Sequence, residues 1–262
     1  IENCGAESVA ICLLHAYAHP ENERRIAELL RAELDVPVSA SHEVLAEFRE
    51  FERTSTTVAN AYVRSKTGGY LARLLDRSRD VGLPEPRIMQ SNGGVADVGT
   101  VRSEAITTVL SGPAAGVVGA GETGVGESAK ASAKRGHITF DMGGTSSDVS
   151  LIRDGEAERS SEAEIAGVPI RTPMVDIETV GAGGGSIARV DAGGALRVGP
   201  ESTGSEPGPA CYDRGGERPT VTDANVVLGY IGPDAALGGE LSIDAERAWE
   251  VLEGLAEAAD LA

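Results

Sequence analysis

The residues best equipped for chemistry lie in one short stretch: Ile138-Thr139-Phe140-Asp141-Met142-Gly143-Gly144-Thr145-Ser146-Ser147-Asp148-Val149-Ser150-Leu151-Ile152. An apolar run, a Gly-Gly turn and a second apolar run predict a β-hairpin with polar groups at its tip. Gly143 and Gly144 lack Cβ atoms and tolerate positive φ, so consecutive backbone N–H groups can turn outward as a nest for phosphate oxygens. Thr145 and Ser146 add hydroxyl donors. Asp141, closing the first strand, and Asp148, opening the second, are the carboxylates expected to hold Mg²⁺, which takes a few carboxylates plus waters and phosphate oxygens. Together these are parts for phosphoryl transfer, with Asp141 and Asp148 as the catalytic pair. The same residues also fit a plain tight hairpin in which glycines serve the turn and aspartates cap exposed backbone. No Lys follows the glycines, so this is not a Walker loop, and the tip leads into a strand, so it is not a dinucleotide fingerprint.

A second glycine run, Val180-Gly181-Ala182-Gly183-Gly184-Gly185-Ser186, can wrap a phosphate or substrate closely. In that role Gly183, Gly184 and Gly185 bring the backbone near and Ser186 offers its hydroxyl; a flexible turn between strands is the alternative. Cys211 has no His beside it in sequence and reads as a buried structural thiol. Asp223 and Asn225 open a helical stretch, where a carboxylate caps the first turn. His15, His19, His42 and His137 are scattered without an i, i+4 pair, so no zinc site follows. Arg53 and residues 54–57 fall in a helical stretch from which they could reach the cleft, though an Arg on a helix is more often solvated or salt-bridged.

The elements that must position these groups alternate between strand and helix patterns. Residues 9–14 and 37–40 read as short strands flanking a helix that opens at Pro20, with Ile26, Leu29, Leu30 and Leu34 at helical spacing. Val44, Leu45, Phe48 and Phe51 begin a helical stretch expected to end near Val63, and a second helix over 70–75 follows Gly68 and Gly69. A strand at 87–90 runs into the turn cluster Ser91-Asn92-Gly93-Gly94, and 111–121 is a helix of small residues suited to a close-packed connector. Residues 124–135 read as a loop, 138–198 as short strands between Gly and Pro turns, and 222–230 and 244–255 as helices, the latter capped by Asp244. The expected division is 1–110, a connector over 111–136, and 137–262 carrying the hairpin.

The formal charge of −18, from 41 acidic against 23 basic side chains, argues against nucleic acid and against an anionic membrane surface. Only Lys66, Lys130 and Lys134 are lysines, a surface that fits either a protein kept soluble in concentrated salt or an ordinary acidic cytosolic one. Cys4, Cys12 and Cys211 lack the paired spacing of a zinc site or a disulfide scaffold, which points to a reducing cytoplasm. No stretch approaches a membrane span, and the first residues read as the middle of a longer protein.

Read in order, Met89-Gln90-Ser91-Asn92-Gly93-Gly94, Leu110-Ser111-Gly112-Pro113-Ala114-Ala115-Gly116, the hairpin, the second glycine run and Pro207-Gly208-Pro209-Ala210-Cys211-Tyr212 resemble the hydantoinase A family. Glu52-Arg53-Thr54-Ser55-Thr56-Thr57 and Pro219-Thr220-Val221-Thr222-Asp223-Ala224-Asn225 extend the resemblance over nearly the whole chain. The family includes 5-oxoprolinases, N-methylhydantoinases and the nucleotide-binding subunits of acetone and acetophenone carboxylases. The resemblance implies an α/β fold of the actin, sugar-kinase and heat-shock-chaperone ATPase class, here the end of a first lobe, a connector and the start of a second. It further implies ATP and Mg²⁺ as cofactors, a small-molecule substrate, a hydantoinase B-type partner, and a cyclic amide activated by phosphoryl transfer for hydrolysis. A carboxylase subunit is the near alternative; a nucleotide-dependent switch or an inert scaffold domain is the distant one. The family's first Asp-Gly-Gly-Thr phosphate motif and its Gly-rich adenosine motif have no counterpart in these residues, and the family's His near position 22 is also missing.

Overall fold

The computed structural model describes residues 5–123, 136–165, 167–232 and 242–261. Along the chain come β1 (Val9–Ile11), α1 (Glu21–Glu33), β2 (Val38–Ala40), α2 (Ser41–Val44), α3 (Glu50–Asp80), β3 (Arg87–Met89), β4 (Val95–Asp97), α4 (Val98–Ser103) and α5 (Ser111–Thr123). Then follow β5 (His137–Met142), β6 (Ser147–Arg153), β7 (Glu156–Ala157), β8 (Arg159–Ser160), β9 (Ala163–Ile165), β10 (Val168–Ile170), β11 (Met174–Val175), β12 (Glu178–Val180), β13 (Ser186–Val190), β14 (Leu196–Ser202), α6 (Val221–Val227) and α7 (Ala245–Ala258). The chain forms two compact units, one of residues 1–137 and 151–176, the other of 138–150 and 177–262. The hairpin tip and the second glycine run both fall in the second unit, while residues 151–176, including the end of β6, fall in the first.

In the first unit β1 and β2 pair in parallel, Val9 opposite Val38 and Ile11 opposite Ala40, with α1 as the crossover between them. Pro20 precedes α1, where a missing N–H loses no helical bond. Ala27 of α1 packs on Ile11, Val38 and Ala40. The side chain of the fully buried Asn60 donates to Ser39 Oγ and Ser103 O and accepts from Ile106 N–H, tying α3 to β2 and to the turn after α4.

The two helices expected between 44 and 75 are one helix, α3, which begins only at Glu50 and runs through Gly68 and Gly69. Each interior glycine costs about 1 kcal/mol against Ala. Tertiary packing on both sides of the pair offsets that: Thr56, Thr57, Asn60 and Ala61 are buried before it, and Leu71 packs with Val98 and Val101 after it. Phe48 and Phe51, which made the pattern look helical earlier, are exposed. The loop read over 124–135 lies outside the described residues.

In the second unit β5, β6 and β12 lie side by side in the order β12-β6-β5, and β13 pairs with β14. Helices α6 and α7 share a core of Cys211, Val226, Ile243 and Ala248. Asp244 caps α7 by accepting from Arg247 N–H, as its position in the sequence predicts.

Candidate nucleotide-binding site

The hairpin tip is closed by Gly143 N–H donating to Ser146 O at 2.8 Å. Counting outward from that pair sets Asp141 opposite Asp148 and Thr139 opposite Ser150, and Thr139 Oγ1 does donate to Ser150 O. On its other side β6 pairs with β12, with Thr179 opposite Asp148, and Thr179 Oγ1 donates to Asp148 Oδ1 at 2.8 Å. Asp141, Asp148 and Thr179 therefore form a row across three strands. Asp141 is exposed and Asp148 half-buried, and neither is paired with Lys or Arg among the described residues. Like charges placed opposite one another on a sheet repel unless something lies between or around them. A hard cation and its waters would suit this place. Among the described residues there is no group of three or more His, Cys, Asp or Glu side chains that could hold a metal by themselves.

The second glycine run folds directly against this tip. Gly184 N–H donates to Gly143 O at 2.9 Å and Gly185 N–H to Gly144 O at 2.6 Å. In a planar trans peptide the carbonyl of one residue and the N–H of the next point to opposite sides. Fixing the carbonyls of Gly143 and Gly144 toward the second run therefore turns the N–H groups of Gly144 and Thr145 away from it. Neither N–H has an acceptor among the described residues, and both residues are exposed. Two successive outward N–H groups at a turn are the donor arrangement an anion can accept, reached here without the positive φ expected of Gly143 and Gly144. Ser146 is half-buried beside them.

The donors expected of the second run are engaged inside the protein. Gly183 N–H goes to Ser186 Oγ and Ser186 N–H returns to Gly183 O, so the Ser186 hydroxyl, fully buried, accepts from its own loop. The glycines are required by close approach. A Cβ at Gly183 would sit 2.7–2.8 Å from Ser146 N, Thr145 C and Gly143 O, and one at Gly184 would sit 2.7 Å from Thr222 Oγ1. Ser147 Oγ donates to Ala182 O beneath the tip. Neither Ser147 nor Thr179 stands out in the sequence, because a lone Ser or Thr in a strand carries no pattern of its own.

The remaining candidates are structural. Cys211 is fully buried, and burial, with Asp223 beside it, pushes its thiol up to about 12, far from a reactive thiolate at neutral pH. Asp223 forms a capping box with Thr220 at the start of α6 and also accepts from Cys211 N–H. Arg53 is buried rather than solvated; its guanidinium donates to Leu13 O and Glu47 O and lies over the Tyr17 ring. A cavity of about 650 Å³ in the first unit, walled by Val58, Val63, Ile106, Val109, Ile165 and Ile170, has no carboxylate, His or Cys on its lining.

Comparison with known proteins gives concordant findings. The hydantoinase/oxoprolinase family model matches residues 53–262. Caprolactamase subunit alpha of Pseudomonas jessenii is 41% identical over 252 residues, 94% of this chain and 35% of that protein. The 5-oxoprolinase 1 of Arabidopsis thaliana is 41% identical over 231 residues, 88% of this chain and 18% of that protein. Among solved structures, nucleotide-free acetone carboxylase, described as acting in ATP-dependent acetone carboxylation, superposes with a TM-score of 0.74 at 31% identity, covering 100% of this chain and 37% of that one. The chain thus spans less than two fifths of the relatives it matches, and its fold is the mixed α/β, actin-like ATPase fold that the motifs implied.

Proposed function

Because the chain belongs to the hydantoinase/oxoprolinase family, we propose that it carries part of the nucleotide site of an enzyme that uses ATP to activate a cyclic amide for ring opening. One observation carries this reading: the outward N–H groups of Gly144 and Thr145 lie at the tip of the hairpin whose strands set Asp141 opposite Asp148. In this reading the two N–H groups hold oxygens of the terminal phosphates and offset the charge that develops on transfer. The Thr145 and Ser146 hydroxyls add donors at the same tip. Asp141 and Asp148 hold hydrated Mg²⁺, and Thr179 fixes one Asp148 oxygen so that the other faces the cation or its water. When bound, the cation neutralises charge on the transferring phosphoryl group. Transfer of the γ-phosphoryl group to the ring amide oxygen, with ADP leaving, makes the ring carbon electrophilic; water adds there, the ring C–N bond breaks as the nitrogen takes a proton, and hydrolysis of the resulting acyl phosphate releases phosphate and the carboxylate. The first phosphate motif and the adenosine motif implied by the family resemblance would supply the remaining nucleotide contacts.

A partner subunit of hydantoinase B type belongs to this reading, supported by relatives that are themselves subunits of larger enzymes. The cytoplasm is the proposed location, in keeping with free thiols at Cys12 and Cys211. No helix among the described residues is long and apolar enough to cross a membrane.

The structural likeness to acetone carboxylase favours a second reading, in which the same loop serves carboxylation of a ketone. Phosphate release by the full-length protein with its partner separates them. Stimulation by 5-oxoproline, hydantoin or a lactam, with ring-opened product, supports the amide reading. Stimulation only by ketone plus bicarbonate replaces it with the carboxylase reading, and no ATP turnover with either set contradicts both.

A further inference from the structure

The motifs left without a task by the proposed function lie on one hydrogen-bonded path in the second unit. Gly184 gives its N–H to Gly143 O and takes at its own carbonyl the N–H of Thr222, at 2.8 Å. Thr222 is the second residue of α6, so this bond satisfies one of the donors that every helix leaves free at its start. The same helix start is locked by Thr220 and Asp223, whose side chain accepts from Thr220 N–H, Thr220 Oγ1 and Cys211 N–H. Gly185 is held likewise: its N–H goes to Gly144 O, and its carbonyl accepts from Thr203 N–H. Every one of these groups is buried or nearly so except the two glycines of the tip.

We propose that Gly183, Gly184, Gly185 and Thr222 are positioning residues for the phosphate loop: they form a rigid backbone die that holds the carbonyls of Gly143 and Gly144 inward and thereby aims the N–H groups of Gly144 and Thr145 at the nucleotide phosphates. This rests on the nucleotide reading above and extends it, since it assigns the second glycine run to shaping the first rather than to touching ligand. It also gives Asp223 and Cys211 N–H a place: they anchor the helix start on which Gly184 rests. The die is made almost wholly of backbone, because the spacing leaves no room for Cβ atoms. A donor pair aimed by fixed dipoles needs no rearrangement when the anion arrives, which is what makes such a pair effective.

The contacts supply a rescue experiment. Beyond Thr222 Oγ1 at 2.7 Å, the nearest atoms to a Cβ at Gly184 are Gly143 O at 3.8 Å and Gly144 Cα at 3.9 Å, which are ordinary contacts. Gly184→Ala is therefore expected to displace the loop, and Thr222→Ala, which keeps the backbone donor, should make room for it. The measurement is ATP affinity by calorimetry on the full-length protein, with thermal unfolding recorded alongside. Gly184→Ala should weaken ATP binding at least about tenfold in a protein that still unfolds cooperatively, and Gly184→Ala/Thr222→Ala should recover most of that loss. Gly183→Ala, whose clash is with the Thr145–Ser146 peptide and the Gly143 carbonyl, should weaken binding without rescue by Thr222→Ala. Wild-type affinity in both Gly183→Ala and Gly184→Ala overturns the positioning role while leaving the nucleotide reading intact. A Gly184→Ala defect that Thr222→Ala leaves unchanged also overturns it. A folded wild-type protein that binds no ATP overturns the nucleotide reading and this inference with it.

Discussion

Gly184 donates its backbone N–H to the carbonyl of Gly143 at 2.9 Å, so the two glycine runs of this chain, far apart in sequence, are one structure. That bond decides which way the hairpin tip faces. It converts a turn that could have served only to reverse the chain into a pair of donors open to solvent.

The bond from Thr179 to Asp148 makes the first prediction. Thr179→Val removes the hydroxyl while keeping the β-branched shape that suits β12. In the full-length enzyme the Mg²⁺ concentration giving half-maximal ATP turnover should rise by roughly tenfold, the scale of lost outer-shell support for a metal-binding carboxylate. A titration of turnover against Mg²⁺ reads this directly, and an unchanged midpoint would remove Thr179 from the site.

Glu23 gives a pH prediction. Burial pushes its carboxyl up, but hydrogen bonds from Leu13 N–H, His42 N–H, the His42 ring and Ser41 Oγ outweigh that and hold it below its ordinary value. A carboxylate depressed on folding contributes stability that is present above its unfolded pKa, about 4.3, and is lost as pH falls through the folded value. Urea unfolding between pH 7 and pH 3 should show that loss in the wild type. Glu23→Gln should be less stable by about 2–4 kcal/mol at neutral pH and should lack this part of the acid dependence.

Gly68 and Gly93 make opposite predictions for the same substitution. Gly68 lies inside α3 with open space where a Cβ would stand, so Gly68→Ala should stabilise by about 0.5–1 kcal/mol. Gly93 has φ +82° and a Cβ there would lie 2.9 Å from Val118 Cγ2, so Gly93→Ala should destabilise by about 1–3 kcal/mol. The urea midpoints of the two variants should fall on opposite sides of the wild type.

What could be read from the sequence was what is local. The Gly143-Gly144 hairpin, the Asp244 cap and the capping role of Asp223 all announce themselves within a few residues, because turn and cap chemistry are set by near neighbours. The extent of α3 was not legible: Gly68 and Gly69 argue for a break that packing around Asn60 and Leu71 overrides. Nor was the inward engagement of Gly183, Gly184 and Gly185, since a glycine run looks the same whether its N–H groups meet a ligand or another carbonyl. The burial of Arg53 was not legible for a similar reason: beside its ion pair with Glu50, its acceptors are the main-chain oxygens of Leu13 and Glu47, which leave no mark on the sequence.

The acidic, lysine-poor composition supports a further test. If the protein is adapted to concentrated salt, screening of its −18 net charge should raise its melting temperature steeply between dilute buffer and molar KCl. Equal stability across that range would mark it as an ordinary acidic protein.

The central claim is that the tip at Gly143 to Ser146, with Asp141 and Asp148 behind it, binds the phosphates of ATP through Mg²⁺. Calorimetric titration of ATP into the full-length protein, with and without Mg²⁺ and with Asp141→Ala alongside, tests it most directly. The account predicts Mg²⁺-dependent binding that Asp141→Ala abolishes in a protein of unchanged fold. ATP binding that is indifferent to both Mg²⁺ and Asp141→Ala would contradict it and leave the hairpin as a turn.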